Sequence, residues 1–122
     1  MEQTRAIAEK GIMFYIIIPI YNVEQYLKKC LDSLLNQSYS KWVAVLINDG
    51  STDSSGTIAQ EYTSKDTRFI LLNQTNQGLS TARNAGLEMV KNLLASTTPP
   101  PHCNIYIIFA LWILMIIYKS TH

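Results

Sequence analysis

Two uninterrupted apolar runs, Phe14-Tyr15-Ile16-Ile17-Ile18 and Val43-Ala44-Val45-Leu46-Ile47, leave this chain few folds to choose from. Neither run alternates apolar with polar residues, so each suits a strand covered on both faces, as in a parallel sheet flanked by helices. Pro19 ends the first run. From Glu24 onward Leu27, Cys30, Leu31, Leu34 and Leu35 recur at helical spacing and predict one amphipathic helix. After the second run comes Asn48-Asp49-Gly50-Ser51-Thr52-Asp53, a dense turn and capping cluster. Either Asp53 or Ser51 suits the cap of a helix over residues 54–64. Residues 68–72 (RFILL) read as a third strand. Gly78 then opens a further helix, with Leu79, Ala82, Ala85, Gly86, Met89, Val90 and Leu93 as its inner stripe.

Three strand-then-helix units in series predict an α/β fold, a Rossmann-like parallel sheet with flanking helices. Ligands of such sheets bind beyond the carboxyl ends of the strands. The polar clusters at 19–24 and 48–53 both fall there, which marks them as the candidate site before any other consideration.

The 122 residues have room for one small domain. Hydrophobic residues at 48% and charged residues at 16% suit a compact core rather than a disordered chain. A net charge of +1 offers no electrostatic footprint for nucleic acid. Cys30 and Cys103 show neither metal-ligand nor redox spacing and read as reduced thiols of a cytoplasmic protein. Residues 1–13 form a polar leader without the apolar core of a signal peptide, and Met13 is an alternative start to Met1. At the other end, residues 95–102 hold Pro99-Pro100-Pro101, which cannot continue a helix. The apolar stretch 105–118 behind them is shorter than the roughly 20 residues of a spanning helix. A buried strand or helix is its plain reading.

Residues 14–91 closely resemble family-two glycosyltransferases, enzymes with a GT-A nucleotide-binding fold. The resemblance lies in four segments in order: IIIPIYN (16–22), YLKKCLDSLLNQSY (26–39), INDGSTD (47–53) and NQGLSTARNAGL (76–87). It implies that residues 14–94 are the N-terminal half of such a domain, binding a nucleotide-diphospho-sugar. Tyr21, on the loop after the first strand, suits stacking on a flat base; its alternative is a surface aromatic closing the strand edge. Asp49 suits the imide N–H of uracil or a similar base, and its alternative is a turn former. Pro19 fixes the loop, Asn22 and Glu24 lie beside Tyr21, and Ser51 belongs to the second cluster. Gly78 and Arg83, at a helix start, suit a diphosphate through free N–H groups, dipole and guanidinium. Arg83 has the alternative of a solvated helix arginine. Asn48 departs from the two acids common in the family at that point.

The family continues with a strand ending in Phe-Leu-Asp-Ser-Asp-Asp, whose carboxylates hold a divalent cation, Mg²⁺ or Mn²⁺, against the donor phosphates. This chain has no acid after Glu88, so neither a metal ligand nor a catalytic residue is assigned in it. Codon degeneracy points to a cause. Read two bases later, Trp112-Ile113 and Met115-Ile116 each force an Asp codon, and the triplets between them permit Ser and Asp. The shifted frame therefore permits the absent motif, and a run of C encoding Pro99-Pro100-Pro101 offers a place to slip. On this expectation residues 95–122 are a linker and an out-of-frame tail, and the chain is a truncated or frameshifted product, inactive alone. It also leaves the first and third strands with bare edges. The intact enzyme is expected to transfer a hexose to a saccharide or lipid-linked acceptor of surface polysaccharide or lipopolysaccharide. The expected location is the cytoplasm, at the inner face of the membrane with weak association. Two other classes stand beside this reading: a non-enzymatic nucleotide-binding fragment and a small membrane-associated protein.

Overall fold

The computed structural model describes residues 12–96 and 104–109. Within them β1 (Ile12–Ile20), α1 (Glu24–Leu35), β2 (Trp42–Asp49), α2 (Ser55–Lys65), β3 (Phe69–Gln74), α3 (Leu79–Ser96) and β4 (Asn104–Phe109) follow one another. All strand pairs are parallel and the sheet order is β3-β2-β1-β4. The expected parallel α/β fold is what forms.

Strand alternation divides the core. Ile16, Ile18, Ile20, Ala44 and Leu46 pack with Leu27, Cys30, Leu31 and Leu34 of α1 and Ala59 and Tyr62 of α2. Tyr15, Ile17, Val45 and Ile47 turn the other way, against Ala82 and Val90 of α3. Ile17, Ile18, Val45, Leu46 and Ile47 have no exposed surface, which is why these runs contain no polar residue. Gly86 marks the tightest approach: a Cβ there would collide with the Ile17 side chain.

Three expectations need correction. Pro19 lies inside β1 rather than ending it. Phe14 N–H donates to the Lys41 carbonyl, on the β2 side. Successive residues of a strand address opposite neighbours, so Pro19 turns its nitrogen toward the β4 side, where the described pairing ends at Ile17 opposite Phe109. Among the described residues no ladder bond is lost. Leu79 leaves the inner stripe of α3 and is 42% exposed, because the helix starts beyond the strand ends and its first residue has no sheet beneath it. Nor is the β1 edge bare: β4 pairs with it from Ile12 opposite Asn104 to Ile17 opposite Phe109.

Within the tail, residues 104–109 form β4, whose Ile107 is exposed rather than buried. The leader 1–11, the prolines 99–101, Cys103, both histidines and residues 110–122, which carry the codon argument, lie outside the described residues. No described helix is long and apolar enough to cross a membrane.

Candidate nucleotide-binding cleft

A cleft of about 400 Å³ opens at the carboxyl ends of β1 and β2, lined by Pro19, Ile20, Tyr21, Val23, Asp49, Asn76, Gly78, Leu79 and Ala82. Its size falls within the range of small-molecule sites. Tyr21 is 49% exposed at its rim. An aromatic ring left half in water on the loop after a central strand offers a flat apolar surface to a ligand.

Asp49 is the cleft's buried acid, 3% exposed at the last position of β2. Its Oδ1 accepts from Gln74 Nε2 at 2.8 Å and from the Gln77 N–H at 2.9 Å, and its Oδ2 accepts from the Gly78 N–H at 3.0 Å. The Gln74 side chain first, then the two backbone N–H groups, hold its carboxyl below the usual carboxylate range against the opposing effect of burial. Asp49 is therefore an anion that caps the approach to α3. Two carboxylate oxygens offer about four acceptor sites; among the described residues three bonds reach them, two on Oδ1 and one on Oδ2.

Glycines permit this geometry. Gly50 has φ +72, and a Cβ on it would stand 2.6 Å from the Asn76 nitrogen. Gly78 has φ +97 with open space where a Cβ would be, so its N–H reaches Asp49 through backbone that other residues rarely adopt.

Of the residues expected in the site, Pro19, Tyr21, Asp49 and Gly78 meet around this cleft. Asn22, Glu24 and Ser51 do not line it; they stitch the β1–α1 loop to the β2–α2 loop. Asn22 Oδ1 accepts from the Thr52 N–H at 2.8 Å and the Thr52 hydroxyl at 3.3 Å. The Asn22 N–H donates to Ser51 Oγ at 3.1 Å. The Glu24 N–H donates to Asp53 Oδ2 at 3.2 Å, while Glu24 Oε2 accepts from the Ser54 N–H at 3.0 Å. Asp53 Oδ1 also accepts from the Ser55 N–H at 2.9 Å, but the N-cap of α2 is Ser54, without a side-chain cap bond, so neither Asp53 nor Ser51 takes that position. Arg83 is half-buried one turn into α3 and is not among the lining residues. Asn76, Leu79 and Ala82 line the cleft without having been assigned to it; NQG and the helix start hold them in the sequence, but only folding shows which side they present.

The four matching segments, the sheet order and a cleft at the strand ends all point one way, and residues 15–94 match the sequence profile described as "Glycosyl transferase family 2". The chain belongs to glycosyl transferase family 2. It is 53% identical over 72 residues to glycosyltransferase GlyA of Streptococcus pneumoniae, covering 59% of this chain and 10% of that protein. It is 46% identical over 76 residues to the uncharacterized glycosyltransferase EpsJ of Bacillus subtilis, covering 62% and 22%. The chain thus spans only a minor part of the length of the relatives it matches. Among solved structures, the mannosyltransferase PcManGT of Pyrobaculum calidifontis, in complex with GDP-Man and Mn²⁺, superposes with TM-score 0.58 at 23% identity, over 62% of this chain and 24% of that one. TarS of S. aureus superposes with TM-score 0.57 at 32% identity, over 63% and 14%. The GT-A fold is shared.

A divalent cation accompanies the donor in the first of those structures. The described residues of this family member do not fit one: they contain no group of three His, Cys, Asp or Glu able to hold a metal ion. Asp49 already accepts three hydrogen bonds and Asp53 is engaged with Glu24 and Ser55. No chemical step is assigned to a metal here.

Proposed function

We propose that this family-two domain binds the nucleoside diphosphate part of a nucleotide-diphospho-sugar. The observation that carries the reading is the pairing of an exposed Tyr21 ring with a buried, ionised Asp49 across one cleft at the strand ends. The base stacks on Tyr21, and Asp49 accepts its N–H. The start of α3, with its dipole and the open space at Gly78, takes the phosphates; Arg83 adds charge from the next turn.

The remaining acceptor site on Asp49 suits a base with a single ring N–H, such as uracil, better than guanine, which presents two donors to one carboxylate. Donor binding by this chain is therefore expected to favour uridine diphosphate over guanosine diphosphate. Residues 14–94 are read as the partial domain that does this. The cation and acceptor functions fall to residues outside it, so the chain binds donor and does not transfer sugar alone. With the rest of such an enzyme present, a hexose would pass to a growing surface polysaccharide or a lipid-linked acceptor, in the cytoplasm at the inner face of the membrane.

Calorimetric titration of the full chain with UDP and GDP tests this. Stacking on an aromatic is worth about 1–3 kcal/mol per base, so Tyr21→Ala is expected to weaken UDP by that amount without altering the fold. No heat from either diphosphate, or wild-type affinity in Tyr21→Ala, contradicts the proposal.

A further inference from the structure

We infer that Asn22 is a positioning residue for the Tyr21 ring and makes no contact with the nucleotide. The inference rests on reading the cleft as a nucleotide site, and it adds how that site is held in shape.

Asn22 is, among the described residues, the one non-glycine with positive φ, at 49°. Asparagine tolerates this conformation better than most residues, and here it turns the chain sharply straight after Tyr21. The turn is locked from both ends. Oδ1 of Asn22 accepts from the N–H and hydroxyl of Thr52 and, at 3.4 Å, from the Asp53 N–H. Its own N–H is taken by Ser51 Oγ. A second layer lies behind: the Val23 N–H donates to Ser55 Oγ at 3.0 Å, the Glu24 N–H donates to Asp53 Oδ2, and Glu24 Oε2 accepts from the Ser54 N–H, between the starts of α1 and α2.

These bonds join segments about thirty positions apart in the chain, as the separations of 29, 30 and 31 show. They tie the exposed loop that carries Tyr21 to the end of the strand that carries Asp49. Without them Tyr21 hangs on a free loop and its ring loses its set distance from the carboxylate. With the Oδ1 of Asn22 committed to three donors and its N–H to a fourth partner, the residue's contribution is the attitude of its neighbour.

Two substitutions separate the parts of this role. Asn22→Gly keeps the left-handed backbone but removes the acceptor; Asn22→Asp keeps an acceptor oxygen and removes the amide donors. Ser51→Ala, which removes the acceptor of the Asn22 N–H but keeps the Asn22 side chain and its bonds to Thr52, is the milder control. Each is made in the full chain, with a melting curve to establish folding, and titrated with UDP and with uridine. Amide exchange at Thr52 and Asp53 is read in the absence of nucleotide.

Expected are faster exchange at both amides in Asn22→Gly, about tenfold weaker binding of uridine and UDP, which corresponds to about 1.4 kcal/mol, and recovery to about twofold of wild type for uridine in Asn22→Asp. In a Tyr21→Ala background, Asn22→Gly should cost nothing further, since its effect passes through the ring. If Asn22→Asp binds uridine as poorly as Asn22→Gly, or if the loss persists without Tyr21, the side chain touches the ligand directly and the inference is overturned. Unchanged exchange at Thr52 and Asp53 in Asn22→Gly also overturns it. Should wild type bind neither ligand, the nucleotide reading fails while the exchange result still judges the clamp.

Discussion

At Asp49 three hydrogen bonds arrive from the segment that leads into α3, so one carboxylate both orients the cleft and secures a helix start. The pH consequence follows from the direction of its shift. A carboxyl held below its ordinary value in the folded state stabilises the fold fully above the unfolded value of about 3.9 and loses that contribution as pH falls through the lower, folded value. Asp49→Asn is therefore expected to destabilise the protein at neutral pH, with the difference from wild type narrowing below about pH 4. Denaturation midpoints measured from pH 7 down to pH 3 check it; a constant gap would mean the charge is not involved. That Tyr21 and Asp49 stand at the strand ends was legible from the order of strands and polar clusters; a binding role for either rested on the family resemblance. The commitment of Asn22, Glu24 and Ser51 to one another was not, because no local pattern reports a bond between loops thirty residues apart.

The close approach of α3 to β1 depends on Gly86. Alanine there gains helix propensity of about 1 kcal/mol, but its methyl must displace the Ile17 side chain, which is branched at Cβ and fully buried. Overpacking of this kind costs about 1–3 kcal/mol, so Gly86→Ala is expected to lower stability on balance, read as a reduced urea midpoint with unchanged slope. α1 and α3 were readable from apolar periodicity because burial on one face repeats every turn, whereas α2 was placed from the polar turn cluster before it. Leu79 escaped that logic, since periodicity does not reveal where the sheet beneath a helix stops. Pro19 escaped it too: whether a proline ends a strand depends on which neighbour its nitrogen faces, and that is a property of pairing.

Across the whole molecule, β4 covers the β1 edge, and the central strand of the described sheet has a partner on each side. Deleting residues 97–122 removes that cover and exposes backbone N–H and C=O groups of the most apolar strand. The shortened chain is expected to self-associate where the full chain does not, as light scattering after gel filtration will show; a monodisperse shortened chain with an unchanged melting curve would mean β4 adds little. The apolar runs, their helical intervals and the polar clusters at their ends determined by themselves that this protein is a parallel α/β domain with polar loops at the strand ends, because burial and period are local properties of a chain. Only the tertiary structure decided that part of the tail is a strand, that Asp49 is held by three hydrogen bonds, and that Asn22, Glu24 and Ser51 join two loops rather than line the cleft. Those outcomes depend on register and on contacts between distant segments, which exist only once the sheet has formed.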